Sequence, residues 1–150
     1  MSLTARIDED LKKAMIARAA ERLSVLRMLK SAVKYAAIES GGADAVPSDA
    51  DVIAVLRKEV KKRQDSVVGF ESGGRPELAA KEKAEIVILE EYLPTPLTPA
   101  ELEEIVKASI AEVGATGKNQ MGAVIKAAQA KAAGRVDGKT LSQLVQKLLP

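Results

Sequence analysis

The 150-residue chain contains no cysteine, histidine or tryptophan, and only 2% of its residues are aromatic. Without cysteine it forms no disulfide and offers no thiolate nucleophile, and without histidine it lacks the commonest general base and metal ligand. Most hydrolase and transferase mechanisms therefore lose a component, and we expect no cofactor. The three aromatic residues provide little surface for stacking single-stranded bases, so any contact with RNA should read its backbone and shape.

No apolar run approaches the roughly 18 residues that a membrane span needs. The first eleven residues, MSLTARIDEDL, also lack the basic-then-apolar pattern of a secretory signal. These absences predict a cytoplasmic protein that has no membrane partner.

The chain is rich in residues that favour helices. Ala, Leu, Val and Ile supply most of the 47% hydrophobic fraction, and Glu, Lys and Arg most of the 29% charged fraction. Apolar residues recur at a spacing of three and four, and no long alternation of β-branched residues indicates a strand. The sequence therefore predicts an all-α fold.

Breaks in the apolar pattern predict two helical domains joined by a linker. Breaks near 18–21, 41–48 and 72–76 separate four amphipathic helices, which we expect to form an antiparallel N-terminal domain over 1–93. Three prolines between 94 and 99 exclude a helix, so 94–98 is predicted to be an extended linker. A capping box at Thr98 and Glu101 and an N-cap at Asp137 indicate a C-terminal domain of three short helices over 99–150.

The charges are distributed unevenly along the sequence. Residues 41–112 carry nine basic and fifteen acidic side chains, whereas 113–150 carry six basic side chains and a single acid, Asp137. A positive segment of this kind raises the encounter rate with polyanions, which makes nucleic acid the first partner to test. Arg135 and Lys139 flank the start of the last helix, where free N–H groups favour phosphate.

The densest run of charge, RKEVKKRQDS at 57–66, is typical of a solvated helix face, but Arg63 is an exception. Arg63 continues the apolar series of the third helix, and Glu82 continues that of the fourth. If the two helices pair about the 72–76 turn, Arg63 forms an ion pair with Glu82 or Glu85. Such a pair fixes the register of the two helices more than it adds to the stability of the fold.

The alternative is that Glu82 and Glu85 act as a catalytic acid and base, although no nucleophile or metal ligand lies nearby in sequence. The apolar series on the two helices are Ile53, Leu56, Val60, Val67, Phe70 and Leu78, Ile86, Leu89, Leu93.

Five blocks of sequence resemble the YqeY-like proteins of the GatB/YqeY family. They are LSVLRMLKSA, RKEVKKRQDSVVGFESGGRPELAAKE, EEYLP, QMGAVIKAAQAKAAGRVDGK and LVQKLL, and they span nearly the whole chain. The longest block is specific, because its run of cations is followed in order by Asp-Ser, Phe and Gly-Gly-Arg-Pro. The resemblance implies a helical domain followed by a small three-helix domain.

The same family forms the tail of the B subunit of the aspartyl/glutamyl-tRNA amidotransferase, where the tail is associated with gripping tRNA. The resemblance therefore implies a tRNA-binding role, accessory to amidotransfer or translation, with a protein of either process as a possible partner. It implies kinship with glutamine-dependent carbon–nitrogen ligases but no catalysis by this chain, which matches neither the catalytic cradle nor the amidase Ser-Ser-Lys arrangement. The alternative is a protein-interaction module whose acidic 41–112 segment contacts a basic partner. The residues implied for tRNA are Lys118, Lys126, Lys131, Arg135 and Lys139.

Overall fold

The computed structural model describes all residues, Met1–Pro150, and contains seven α-helices and no strand, which confirms the all-α fold class. The chain divides into two compact units, Met1–Leu93 and Pro94–Pro150. None of the helices combines the length and apolar character needed to cross a membrane. The helices are α1 (Leu3–Ile16), α2 (Ala20–Gly41), α3 (Asp49–Ser72), α4 (Pro76–Glu90), α5 (Pro99–Val113), α6 (Met121–Ala132) and α7 (Gly138–Leu148), with a 3-10 turn (Lys118–Gln120) before α6.

Helix ends in both units are set by local side-chain and backbone geometry. Arg18 adopts a left-handed φ of 54° between α1 and α2, a conformation that interrupts the right-handed helix at the expected break. The Ser48 hydroxyl accepts from the Asp51 N–H at 3.2 Å, and the Asp51 carboxylate accepts from the Ser48 N–H at 2.9 Å. Thr98 and Glu101 form the same reciprocal pair at the start of α5, as the sequence predicts.

The first unit is organised around an antiparallel hairpin of α3 and α4. Arg63 on α3 pairs with Glu85 on α4, and Glu71, later on α3, pairs with Lys83, earlier on α4. Because the residue numbers rise along one helix as they fall along the other, the two helices are antiparallel. The core of this unit lies beside the open end of the hairpin, and between positions 61 and 85 only Ala79 is buried. The turn end of the hairpin therefore lies largely outside this core. The large, fully buried side chains of the first unit's core are Leu26, Leu29, Val52, Leu56, Leu89 and Tyr92.

Tyr92 ties α1 to the end of α4 through a polar network. Its ring is 2% exposed, and its hydroxyl donates to the Asp10 carboxylate at 2.6 Å. Burial raises the pKa of Tyr92 above its ordinary value, and the hydrogen bond to Asp10 raises it further. The Arg6 guanidinium lies 4.7 Å from the ring centroid and donates to the Glu91 carbonyl, while Arg22 pairs with the Glu91 carboxylate.

The second unit packs α5, α6 and α7 around an apolar core. Its one buried polar side chain, Ser109, donates from Oγ to the Ile105 carbonyl at 2.8 Å. The proline-rich segment 94–98 is non-helical and belongs to this unit. The Leu97 N–H donates to the Arg135 carbonyl at 3.0 Å, and Arg135 Nε donates to the Thr95 carbonyl at 2.8 Å. The core residues are Leu102, Val106, Ala115, Val124, Ala128, Leu141, Val145 and Leu149.

Candidate functional site

Arg63 lies at the centre of a partly buried cluster of carboxylates between α3 and α4. Its Nε donates to Glu85 Oε2 at 3.1 Å, and its Nη1 donates to Glu59 Oε2 at 2.8 Å. Glu82 Oε2 is 4.0 Å from the same Nε, at the outer limit of an ion pair. The exposed fraction of the side chain is 13% for Arg63, 13% for Glu59 and 17% for Glu85. One guanidinium thus faces three carboxylates in a poorly solvated position.

Glu59 is the member of this cluster that the sequence analysis did not identify. It precedes Arg63 by four residues on α3, a spacing that places two side chains on one helix face. The spacing alone could therefore have identified Glu59 as a partner of Arg63. The carboxylates face the guanidinium, and no group of acidic side chains in the structure is arranged to hold a metal ion.

A groove of about 360 Å³ opens over this cluster, with walls from three helices. The α2 wall is largely apolar and includes Met28, Ala32 and Tyr35. The side chain of Tyr35 is exposed to solvent. The opposite side carries the Arg63 cluster together with Lys62. Two hydroxyls, of Ser31 and Ser66, and the carboxylates of Glu59, Glu82 and Glu85 complete the lining.

The basic residues expected to contact tRNA fall into two groups in the second unit. Lys118, Lys126 and Lys139 are exposed and form no ion pair. Lys131 pairs with Glu112 on α5, so its charge is partly neutralised. The Arg135 guanidinium contacts Glu101 Oε2 at 3.4 Å in addition to the Thr95 carbonyl, and its side chain is 39% exposed. Three of the five expected side chains are therefore free to meet a polyanion.

The start of α7 already holds an anionic group. Asp137 Oδ2 accepts from the Thr140 N–H at 3.1 Å, so a carboxylate occupies the helix end where a phosphate was expected. Because a phosphate would have to approach this negative charge, the helix end is less favourable for it than the sequence analysis assumed. An anionic partner is therefore expected to contact the exposed lysines, Lys118, Lys126 and Lys139, rather than this helix end.

Residues 4–149 match the family described as Yqey-like protein. This match covers almost the entire chain and both helical units. The chain therefore belongs to the YqeY-like family, as the five sequence blocks indicated.

Three of the similar curated proteins come from fungi. The chain is 27% identical to "Altered inheritance of mitochondria protein 41, mitochondrial" of Pyrenophora tritici-repentis, over 96% of this chain and 79% of the relative. An uncharacterized protein of Schizosaccharomyces pombe is 33% identical over 62% of this chain and 73% of its own length. The Kluyveromyces lactis protein 41 is 36% identical over 67% of this chain, which spans about half of that relative.

The cytoplasmic location expected from the sequence is contradicted by the protein 41 relatives, whose names call them mitochondrial. The inference failed because it rested on two absences, of a secretory signal and of a membrane span. Neither absence distinguishes one aqueous compartment from another.

Proposed function

We propose that this chain is a tRNA-binding module, accessory to amidotransfer or translation, and that its second unit contacts the tRNA backbone. The observation that carries the proposal is the presence of three exposed, unpaired lysines, Lys118, Lys126 and Lys139, in one small unit. Kinship with the tail of the amidotransferase B subunit supplies the class of partner. The proposal assigns no catalytic residue.

The acids of the second unit leave its α6–α7 part strongly basic. The unit has seven basic and five acidic residues, and four of the acids belong to α5. Glu101 and Glu112 are engaged by Arg135 and Lys131, and Glu103 pairs with Lys107 at 2.9 Å. Glu101 and Glu112 therefore offset two cations of the α6–α7 part. Its remaining positive field comes from Lys118, Lys126, Lys139 and Lys147, opposed within that part only by Asp137.

The outer face of α6 suits the close approach of a phosphodiester backbone. This helix buries Val124, Ala128 and Ala132, so Lys126 points away from the core. Three of its four exposed neighbours on this face are short, namely Gly122, Ala123 and Ala130, and the fourth is Gln129. The short side chains leave the Lys126 ammonium room to reach a phosphate.

Binding of this kind reads charge and shape rather than base sequence. The aromatic residues Tyr35, Phe70 and Tyr92 all belong to the first unit, so the second unit has no ring on which a base stacks. Phosphate contacts position a partner without specifying its sequence. We therefore expect similar affinity for different tRNA species.

The test is the salt dependence of tRNA binding by the full chain and its lysine-to-alanine variants. Each of K118A, K126A and K139A should lower the slope of log affinity against log salt by about one unit, because each lost phosphate contact releases one fewer counterion. K131A should change the slope less, since Glu112 already offsets that charge. The matched control is K12A, which removes an exposed lysine from α1.

Two results would overturn the proposal. The parent chain could show no salt-dependent affinity for tRNA, or K12A could change the slope as much as K126A does. In the first case the alternative, a protein-interaction module without a nucleic-acid role, takes its place. In the second case the binding is a property of overall charge rather than of the second unit.

A further inference from the structure

We propose that the groove over the Arg63 cluster is a docking site for the arginine or lysine side chain of a partner protein. The site lies in the first unit and is separate from the lysines assigned to tRNA. It would give the chain a protein partner with a basic segment, whether or not tRNA is bound.

The charge of the groove favours a cation. Its lining contains the carboxylates of Glu59, Glu82 and Glu85 but only two cations, Arg63 and the exposed Lys62. Glu59 and Glu85 accept hydrogen bonds from Arg63, whereas Glu82 accepts none and reaches the guanidinium only at 4.0 Å. Glu82, with 23% of its side chain exposed, is thus a carboxylate that lines the groove without a donor of its own. In a poorly solvated position such a group attracts a positive charge more strongly than it would in water.

The shape of the groove matches a long side chain with a charged end. Lysine and arginine carry an apolar stem, which can lie along Met28 and Ala32 while the charged group reaches Glu82. The Tyr35 ring, 75% exposed, provides a face for a cation–π contact. A cavity of about 360 Å³ is large enough for one such side chain but not for a folded element.

An anionic ligand fits this groove poorly. A phosphate would approach three carboxylates and would find only Lys62 as an exposed cation. The groove and the second unit therefore have opposite preferences, and the two proposals can fail independently.

The experiment is a nuclear magnetic resonance titration of the full chain with the peptide acetyl-Ala-Arg-Ala-amide. We expect saturable shifts at backbone amides of the groove residues Ser31, Tyr35 and Ser66, with a dissociation constant on the order of 1 mM. A second titration uses the peptide in which citrulline, a neutral isostere, replaces arginine. Loss of the charge should weaken binding by about fivefold or more.

Matched variants test the role of Glu82. E82Q should weaken binding of the arginine peptide by about fivefold, and because Glu82 makes no hydrogen bond to Arg63 the fold should be retained. E90Q makes the same charge change at an exposed position on the same helix, outside the groove, and should bind as the parent does. Y35A should also weaken binding, through loss of the ring.

The proposal is overturned by any of four results. These are an absence of saturable shifts up to roughly ten times the expected dissociation constant, equal binding of the citrulline peptide, shifts confined to residues outside the groove, and equal effects of E82Q and E90Q. If E82Q and Y35A leave peptide binding unchanged but alter tRNA affinity, the groove is a nucleic-acid surface and the assignment to a protein partner is wrong.

Discussion

The first unit carries sixteen basic and sixteen acidic side chains, and the second carries seven and five. The larger unit places several of its charges inside the structure, in the Arg63 cluster and in the hydrogen bond between Tyr92 and Asp10. The smaller unit has a core of aliphatic side chains with Ser109 as its one buried polar residue, and leaves cations such as Lys126 in solvent.

This difference leads us to expect that pairing, as well as the number of charges, determines which cations a polyanion can reach. A cation that is buried with a carboxylate has lost its hydration and is committed to its partner. An exposed lysine without a partner keeps its charge available at little cost in stability. In the first unit a small, poorly solvated set of charges around Arg63 therefore joins two helices, while other charges, such as that of Lys12, remain at the surface. The second unit has no charged residue that is fully buried.

The largest expected effect concerns the charge inside the first unit. Substitution R63A should lower the free energy of unfolding by about 3 kcal/mol, because it leaves the poorly solvated carboxylates of Glu59 and Glu85 without their cation. Urea denaturation followed by circular dichroism measures this loss. The control K61A removes a lysine that is 68% exposed and paired with Asp65, and should cost under about 0.5 kcal/mol. Equal costs for the two variants would show that the first unit does not depend on its internal charges.

A smaller loss is expected from Y92F, which keeps the buried ring and removes only the hydroxyl. The Asp10 carboxylate then loses its 2.6 Å donor, at a cost of about 1–2 kcal/mol. A double-mutant cycle with D10A isolates the coupling between the two side chains. A coupling energy near zero would mean that the hydrogen bond adds nothing to the packing of the ring.

In the second unit, R135A should cost about 1 kcal/mol, because the guanidinium binds the Thr95 carbonyl and is only partly exposed. The Leu97 amide, which donates to the Arg135 carbonyl, should exchange its hydrogen faster in this variant. R135K should not restore slow exchange, because an ammonium lacks the planar fork of donors. If R135A instead lowers tRNA affinity and leaves Leu97 exchange unchanged, Arg135 is a phosphate ligand, as the sequence analysis expected.

The smallest effect concerns the cap of α3. Hydrogen bonding from the Ser48 backbone N–H lowers the pKa of the Asp51 carboxyl below its ordinary value of 3.8, and the Ser48 side chain contributes further. Because the folded-state pKa is lowered, the ionised cap stabilises α3 above the unfolded pKa, and this contribution is lost as the pH falls through the folded pKa. The melting temperature of D51N should therefore lie below that of the parent near neutral pH and converge with it in acid. A constant difference at every pH would contradict this account.

The sequence predicted the helices and the partners of Arg63 more successfully than it predicted which residues are buried. Spacing of three and four placed Arg63 beside an apolar seam, and the short 72–76 turn brought α4 alongside it. The buried residues on α3 are Val52, Leu56 and Val60, however, so Val52 is buried where the sequence indicated Ile53. Adjacent helix positions differ by about 100°, and contacts with other helices decide which of the two faces inward.

The roles of Arg135 and Tyr92 were beyond sequence reasoning for a different reason. Arg135 contacts a carbonyl forty residues earlier, and Tyr92 contacts a carboxylate eighty-two residues earlier. No periodicity links positions that far apart, because the contact exists only once several helices have packed. Arg135, which lies in a basic segment, was therefore interpreted by its charge alone, and its hydrogen bonds to the 95–97 segment were missed.

The uneven placement of the aromatic rings has a practical consequence for spectroscopy. Both tyrosines, Tyr35 and Tyr92, lie in the first unit, and the chain contains no tryptophan. Intrinsic fluorescence therefore follows the unfolding of the first unit alone, while far-ultraviolet circular dichroism follows the helices of both. Coincident transitions by the two methods would mean that the units unfold together. Separate transitions would allow the stability of each unit to be measured in the intact chain, without cutting it.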